Sequence, residues 1–210
     1  MEILGSDHDS VVIRVNSKLS AGDSDYENLY TIRKDGSIEV KAGLKIRKEE
    51  MPELPRFGMK LVMPGAYRNI DWYGRGPEEN YWDRKSGSFI GVYSGTVMEQ
   101  YTPYSYPQEN GNKTDVRWIS LTNDQGEGLI IEGLQPLEIN AHHYLEDSFD
   151  EKITHTILVP FDNLTELCID LHQMGVGGDN SWGEYPHAEY RLTEKEYYYG
   201  FIIRPTALNY

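Results

Sequence analysis

"SIEVKAGLKIR" (37–47) places Ile38, Val40, Ala42, Leu44 and Ile46 at every second position, with charged or small residues between them. Period two is the side-chain repeat of a strand with one buried face. The same repeat runs through Phe57, Met59, Leu61 and Met63 in "RFGMKLVM" (56–63), and through Tyr197, Tyr199, Phe201 and Ile203 in "EYYYGFIIR" (196–204). Further strands are predicted at "VVIRV" (11–15), "LYTIR" (29–33), "FIGVYSG" (89–95), "DVRWISL" (115–121), "GLIIEG" (128–133), "LEINAHHY" (137–144), "THTILVP" (154–160) and "TELCIDLH" (165–172). Turn signals such as "KDGS" (34–37), "TNDQGEG" (122–128) and "GVGGDN" (175–180) separate them. No stretch holds a 3.6-residue apolar repeat of helical length. Strands at this spacing, with no internal repeat or linker, predict a single all-β domain over residues 1–210, an antiparallel sandwich or barrel. Residues 16–28, polar throughout, are predicted to form one long hairpin loop.

The chain has 210 residues, 39% of them hydrophobic, which is ample for a core. A net charge of -14 repels phosphate backbones and acidic lipid surfaces, so neither nucleic acid nor a membrane is an expected partner. The apolar runs are far too short to span a bilayer. "MEILGSDHDS" lacks the basic and apolar regions of a signal peptide, so any targeting signal is expected outside this segment, and the compartment, cytoplasm or periplasm, stays open. The single cysteine, Cys168, excludes an internal disulfide and reads best as a small core residue. Sixteen tyrosines suit a sugar-facing surface, with flat rings for the C–H side of a pyranose and hydroxyls for its rim. They equally suit strands.

Four stretches hold candidate chemistry. "DWYGRGPEENYWDRKSG" (71–87) offers Glu78, Glu79 and Asp83, and a glycosidase needs two facing carboxyls. Gly74-Arg75-Gly76-Pro77 reads as a turn, however, and acids beside arginines more often cap or pair, so the structural reading is the better one. "QYTPYSYPQENGNKTDVRW" (100–118) sets Gln108, Glu109, Asn110 and Asn112 in a polar loop, either a sugar-binding or interface loop or a rigid Pro/Tyr corner. "AHHY" (141–144) puts His142 and His143 on opposite faces of a strand, so they cannot share a metal without a bend. In "QMGVGGDNSWGEYPHAEY" (173–190) a tryptophan stands in the most glycine-rich loop of the chain. From the residues alone, Trp182 plugs the end of the sandwich.

"LPRFGMKLVMP", "WYGRGPEENYWDRKSGSFIGVY", "YPQENGNKTDVRW" and "HQMGVGGDNSWG" occur in that order. Together they resemble the C-terminal domain of large β-galactosidases of glycoside hydrolase family 2, which in two-chain relatives forms much of the small subunit. The resemblance runs from about residue 10 to residue 204. It implies a galactose-mutarotase-like antiparallel supersandwich and a role in binding a galactoside. It also implies that the catalytic glutamates lie in a separate (β/α)8 barrel, of the same or a partner chain, and that this segment supplies no catalytic residue. The family's Gly-Gly-Asp-x-Ser-Trp loop matches Gly177, Gly178, Asp179, Ser181 and Trp182, which makes Trp182 the expected sugar platform and Asp179 and Ser181 its supports. An Arg-Ala-Pro-x-Asp-Asn-Asp stretch that the family carries is not found, so the segment is expected to be the later portion of the domain, lacking its first strands. The open edge left behind predicts a homo-oligomer.

The expected substrate-binding set is therefore Trp182, Asp179, Ser181, Glu109, Asn110 and His142, with no cofactor and no metal in this segment. Two other readings stay open. One is a stand-alone aldose epimerase, with Glu109 as base and His142 or His143 as acid. The other is a plain carbohydrate-binding module.

Overall fold

A computed structural model describes residues 1–149, 160–161, 163–180 and 182–206. Among these, eleven strands pair in antiparallel fashion: β1 (Glu2–Ser6), β2 (Ser10–Leu19), β3 (Ser24–Arg33), β4 (Ile38–Lys45), β5 (Arg56–Pro64), β6 (Asn69–Gly76), β7 (Phe89–Thr96), β8 (Lys113–Thr122), β9 (Gly128–His142), β10 (Leu164–Gln173) and β11 (Glu196–Pro205). The sheet runs β1-β2-β3-β4-β11-β9-β8-β6-β7, and β10 branches from β9 to carry β5.

The fifteen-residue strand β9 creates the second layer. Its first part pairs with β11, Gly133 opposite Phe201, and its second part pairs with β10, Glu138 opposite Asp170. The bend falls at Gly133–Pro136, where a Cβ on Gly133 would stand 2.2 Å from the Gln135 carbonyl oxygen. The branch folds β5 and β10 over β3, β4 and β11. Phe57 of β5 meets Tyr197 and Tyr199 of β11 at centroid distances of 5.7 and 5.4 Å, and the Tyr199 hydroxyl donates to the Ile169 carbonyl at 3.0 Å. The alternating faces read from the sequence fill the space between the layers: Val40, Ala42, Leu44, Phe57, Met63, Tyr197, Tyr199 and Phe201 are all buried.

The sequence reading needs correction at several places. Residues 16–28 are not a long loop, because β2 and β3 pair as far as Leu19 opposite Ser24. Both faces of this hairpin are partly exposed, so the polar residues left no one-sided pattern to read. Gly74-Arg75-Gly76 belongs to β6 and not to a turn. Gly74 is there because β8 lies too close for a side chain: its Cβ would stand 2.7 Å from Val116 Cγ2. Trp72 on the same strand is buried, with its indole N–H donating to the Arg75 carbonyl at 2.9 Å. The strand β1 was not foreseen. The two strands predicted at 128–133 and 137–144 are one bent strand. Residues 154–159 of the predicted strand "THTILVP" lie outside the described residues.

Candidate functional site

The loop after β10 is fixed by its backbone. Gly175 N–H donates to the Tyr190 carbonyl at 2.8 Å, and Met174 N–H donates to the Pro55 carbonyl at 2.9 Å. Gly177 N–H donates to the Asp83 carboxylate at 2.7 Å. Gly178 passes so close to Glu184 that a Cβ would stand 2.2 Å from its carbonyl oxygen, and Gly183 has a φ of 94°, a left-handed conformation that glycine adopts freely. Asp179 pairs with His187 at 2.8 Å, which raises the His187 pKa. Trp182 N–H donates to the Asn180 side-chain oxygen at 2.8 Å. The indole that this frame carries is 91% exposed. Ser181 lies outside the described residues.

A second polar cluster covers one face of the β8-β9-β10-β5 layer. Period two brings Glu138, Asn140 and His142 of β9 beside Asp170, Cys168 and Glu166 of β10. Arg56 of β5 sits among them, donating to Asp170 at 3.1 Å and to both Glu109 and Glu146 at 3.2 Å. Glu109 also accepts from Asn140. Burial pushes the Glu109 carboxyl up to about 7 and the Asp170 carboxyl up to about 6, against the opposing pull of Arg56. His142 is buried, with Nε2 at 2.9 Å from the Asn110 carbonyl oxygen, and burial pushes its pKa down to about 4. Asn110 spends its side chain on its own loop, accepting from Thr102 N–H and donating to the Gln108 carbonyl, each at 2.9 Å. The structure thus brings Glu109, Asn110 and His142 together, and Glu109 alone of the three keeps partial solvent access. His143 turns to the other side and contacts the Leu164 carbonyl at 2.8 Å.

The β6–β7 connection ties both regions down. Glu79 accepts from Gly111 N–H at 2.8 Å and from Arg84 at 2.6 Å, and Asp83 holds the glycine loop. Glu79 and Asp83 therefore belong to the scaffold, the structural reading the sequence favoured, while the Glu78 side chain is exposed and its backbone carbonyl accepts from Asn80. Among the described residues, no group of three or more His, Cys, Asp or Glu side chains is placed to hold a metal ion. Reasoning from sequence missed Arg56, Asp170 and Glu138, and weighed His172 of "LHQMG" (171–175) only among histidines that form no defined metal-ligand set. Arg56 and Asp170 read only as strand residues, and a register shift between Asp170 and His172 hid the face on which His172 lies.

The model of the β-galactosidase small-chain family matches residues 2–203. A β-galactosidase of Priestia megaterium is 41% identical over 94% of this chain and 19% of its own length. One from Lactobacillus delbrueckii subsp. bulgaricus is 33% identical over 95% of this chain and 20% of its own length. The chain thus spans about a fifth of these curated relatives. Among solved structures, a putative aldose 1-epimerase from Escherichia coli is similar with a TM-score of 0.48 and 11% identity, over 99% of this chain and 68% of that one.

Proposed function

Because this chain belongs to the β-galactosidase small-chain family, we propose that it is the non-catalytic, sugar-proximal domain of a family 2 β-galactosidase. In this reading Trp182 stacks on the galactoside or lines its aglycone side. Asp179, paired with His187, braces the loop, and the catalytic glutamates come from a separate barrel. The observation that carries the reading is the exposure of Trp182, 91%, on a loop held by backbone hydrogen bonds and by Asp83. An indole that large is left in water at a cost in hydrophobic free energy, which a stacking partner would recover. Glu109 keeps partial solvent access in the second cluster, held by Arg56 and Asn140, while Asn110 and His142 bond to each other beside it.

The epimerase reading asks His142 or His143 to act as an acid beside Glu109; His143 turns to the other side of the strand, against the Leu164 carbonyl, which leaves His142. Its lowered pKa leaves it neutral at pH 7, and its Nε2 already faces the Asn110 carbonyl, so it has no proton to spare for a sugar ring oxygen. A chromogenic galactoside separates the readings. The isolated chain is expected to show no turnover at high protein concentration. Turnover that Glu109→Gln abolishes would replace the accessory role with an enzymatic one.

A further inference from the structure

At the root of the Trp182 loop stands a stack that the reading above does not use. The His172 imidazole lies on the face of Trp82, centroids 4.7 Å apart and planes 11° from parallel. Tyr190 meets the same indole edge-on at 6.1 Å. All three rings are half-buried, with the His172 side chain 42% exposed. Behind His172 lies Glu138, whose side chain is 4% exposed and whose carboxylate oxygen is 3.2 Å from His172 Nδ1. Glu138 also accepts from Gln173 N–H and from the Asn112 side chain, each at 3.2 Å, so its position is over-determined.

A buried carboxylate facing Nδ1 fixes the tautomer. Nδ1 must carry the hydrogen to donate to it, which leaves Nε2 of the neutral ring as an acceptor. The stack on Trp82 fixes the plane in which that acceptor lies. Two neighbouring buried oxygens, Asp83 Oδ1 and Gln173 Oε1, have no hydrogen-bond partner among the described residues. They adjoin Trp82 and His172 in the chain but are themselves buried, whereas the His172 ring that carries Nε2 is open to a donor from solvent. A sugar hydroxyl is a donor of the required kind.

We propose that His172 is a second sugar-contacting residue, whose Nε2 accepts a hydroxyl hydrogen of a galactoside held against the Trp182 loop. Glu138 and Trp82 act as positioning residues for its ring. The assignment rests on the sugar-proximal reading of the domain. Asp83 ties the two parts together: it follows Trp82 in the chain, and its carboxylate holds Gly177 of the loop.

The test is a titration of the full 210-residue chain with methyl β-D-galactoside, followed by NMR of the histidine rings and tryptophan indoles. The ring nitrogens of neutral His172 should report the Nδ1–H tautomer. Its Nε2 resonance should then move with the same saturation curve as the Trp182 indole. His172→Phe keeps a flat ring on Trp82 and removes the acceptor. It also removes the Nδ1–H that faces buried Glu138, so it should lower the melting temperature modestly, and it should weaken binding about three- to tenfold, the range for one hydrogen bond. A Trp182 response without a His172 response overturns the assignment and leaves the domain's role standing. An Nε2–H tautomer also overturns it. Silence of both resonances overturns it as well, and the domain's role is then decided separately, by the kinetics of Trp182→Ala in the larger enzyme. Should His172→Phe fail to fold, the wild-type titration still decides the matter.

Discussion

Replacing Trp182 by alanine removes a side chain that contributes almost nothing to the core, since 91% of it is in water. The melting temperature should barely move, far from the roughly 3–5 kcal/mol that emptying a buried tryptophan site costs. Galactoside affinity or turnover should fall once the catalytic barrel is present. A core-sized drop in the melt with unchanged kcat and KM would end the platform role. Glu109 makes the opposite kind of prediction. Its folded pKa of about 7 lies above the ordinary 4.5, so the native state binds the proton more tightly than the unfolded chain does. That stabilisation is complete below pH 4.5 and is lost as the pH rises through 7. Glu109→Gln imitates the protonated form, so the melting temperature of the variant relative to wild type should be higher at pH 8 than at pH 5. An equal difference at both pH values would contradict the burial argument. Glu109 was legible as a loop carboxylate, but its surroundings were not, because Arg56 and Asp170 reach it from strands distant in sequence. The outward display of Trp182 was legible only through the family's loop, since composition alone argued for burial.

At the scale of elements, β7 is paired on one side only among the described residues, with β6. Phe89, Ile90 and Val92 on this edge strand are exposed, at 76%, 44% and 65%, and Tyr73 of β6 adds to the same region. An apolar, unpaired strand is a template for a second strand. The chain is expected to self-associate with rising concentration in sedimentation, despite its charge, and Val92→Lys should return it to a monomer. A wild-type chain that stays monomeric at high concentration would refute this. Strands with one buried face, such as β4, β5 and β11, were readable because alternation and burial agree. The outer part of the hairpin β2–β3, residues 16–28, and the strand β6 were not: one is partly exposed on both sides, and the other carries glycines that only the close approach of β8 explains.

For the whole molecule, the two layers exist because β9 serves both, and no local pattern marks a strand that changes partners. The centre of the sheet has a further consequence. β4 pairs with β11, Lys45 opposite Glu196, and β11 in turn pairs with β9. The early meander β1–β4 can zip up from neighbours in the chain, but its inner edge stays open until β11 arrives. Joining segments so distant must first close a long loop, which slows the search for the native state. Refolding should therefore show a late phase in which β4 and β9 gain amide-exchange protection together with β11. The hairpin β2–β3 should be protected earlier. If β4 and β11 were protected as early as that hairpin, closure would not limit the rate. On a ribosome the same order makes the partly made chain a waiting half-sheet, and its exposure time is set by the speed of translation through roughly 150 further residues, at about 5–20 residues per second.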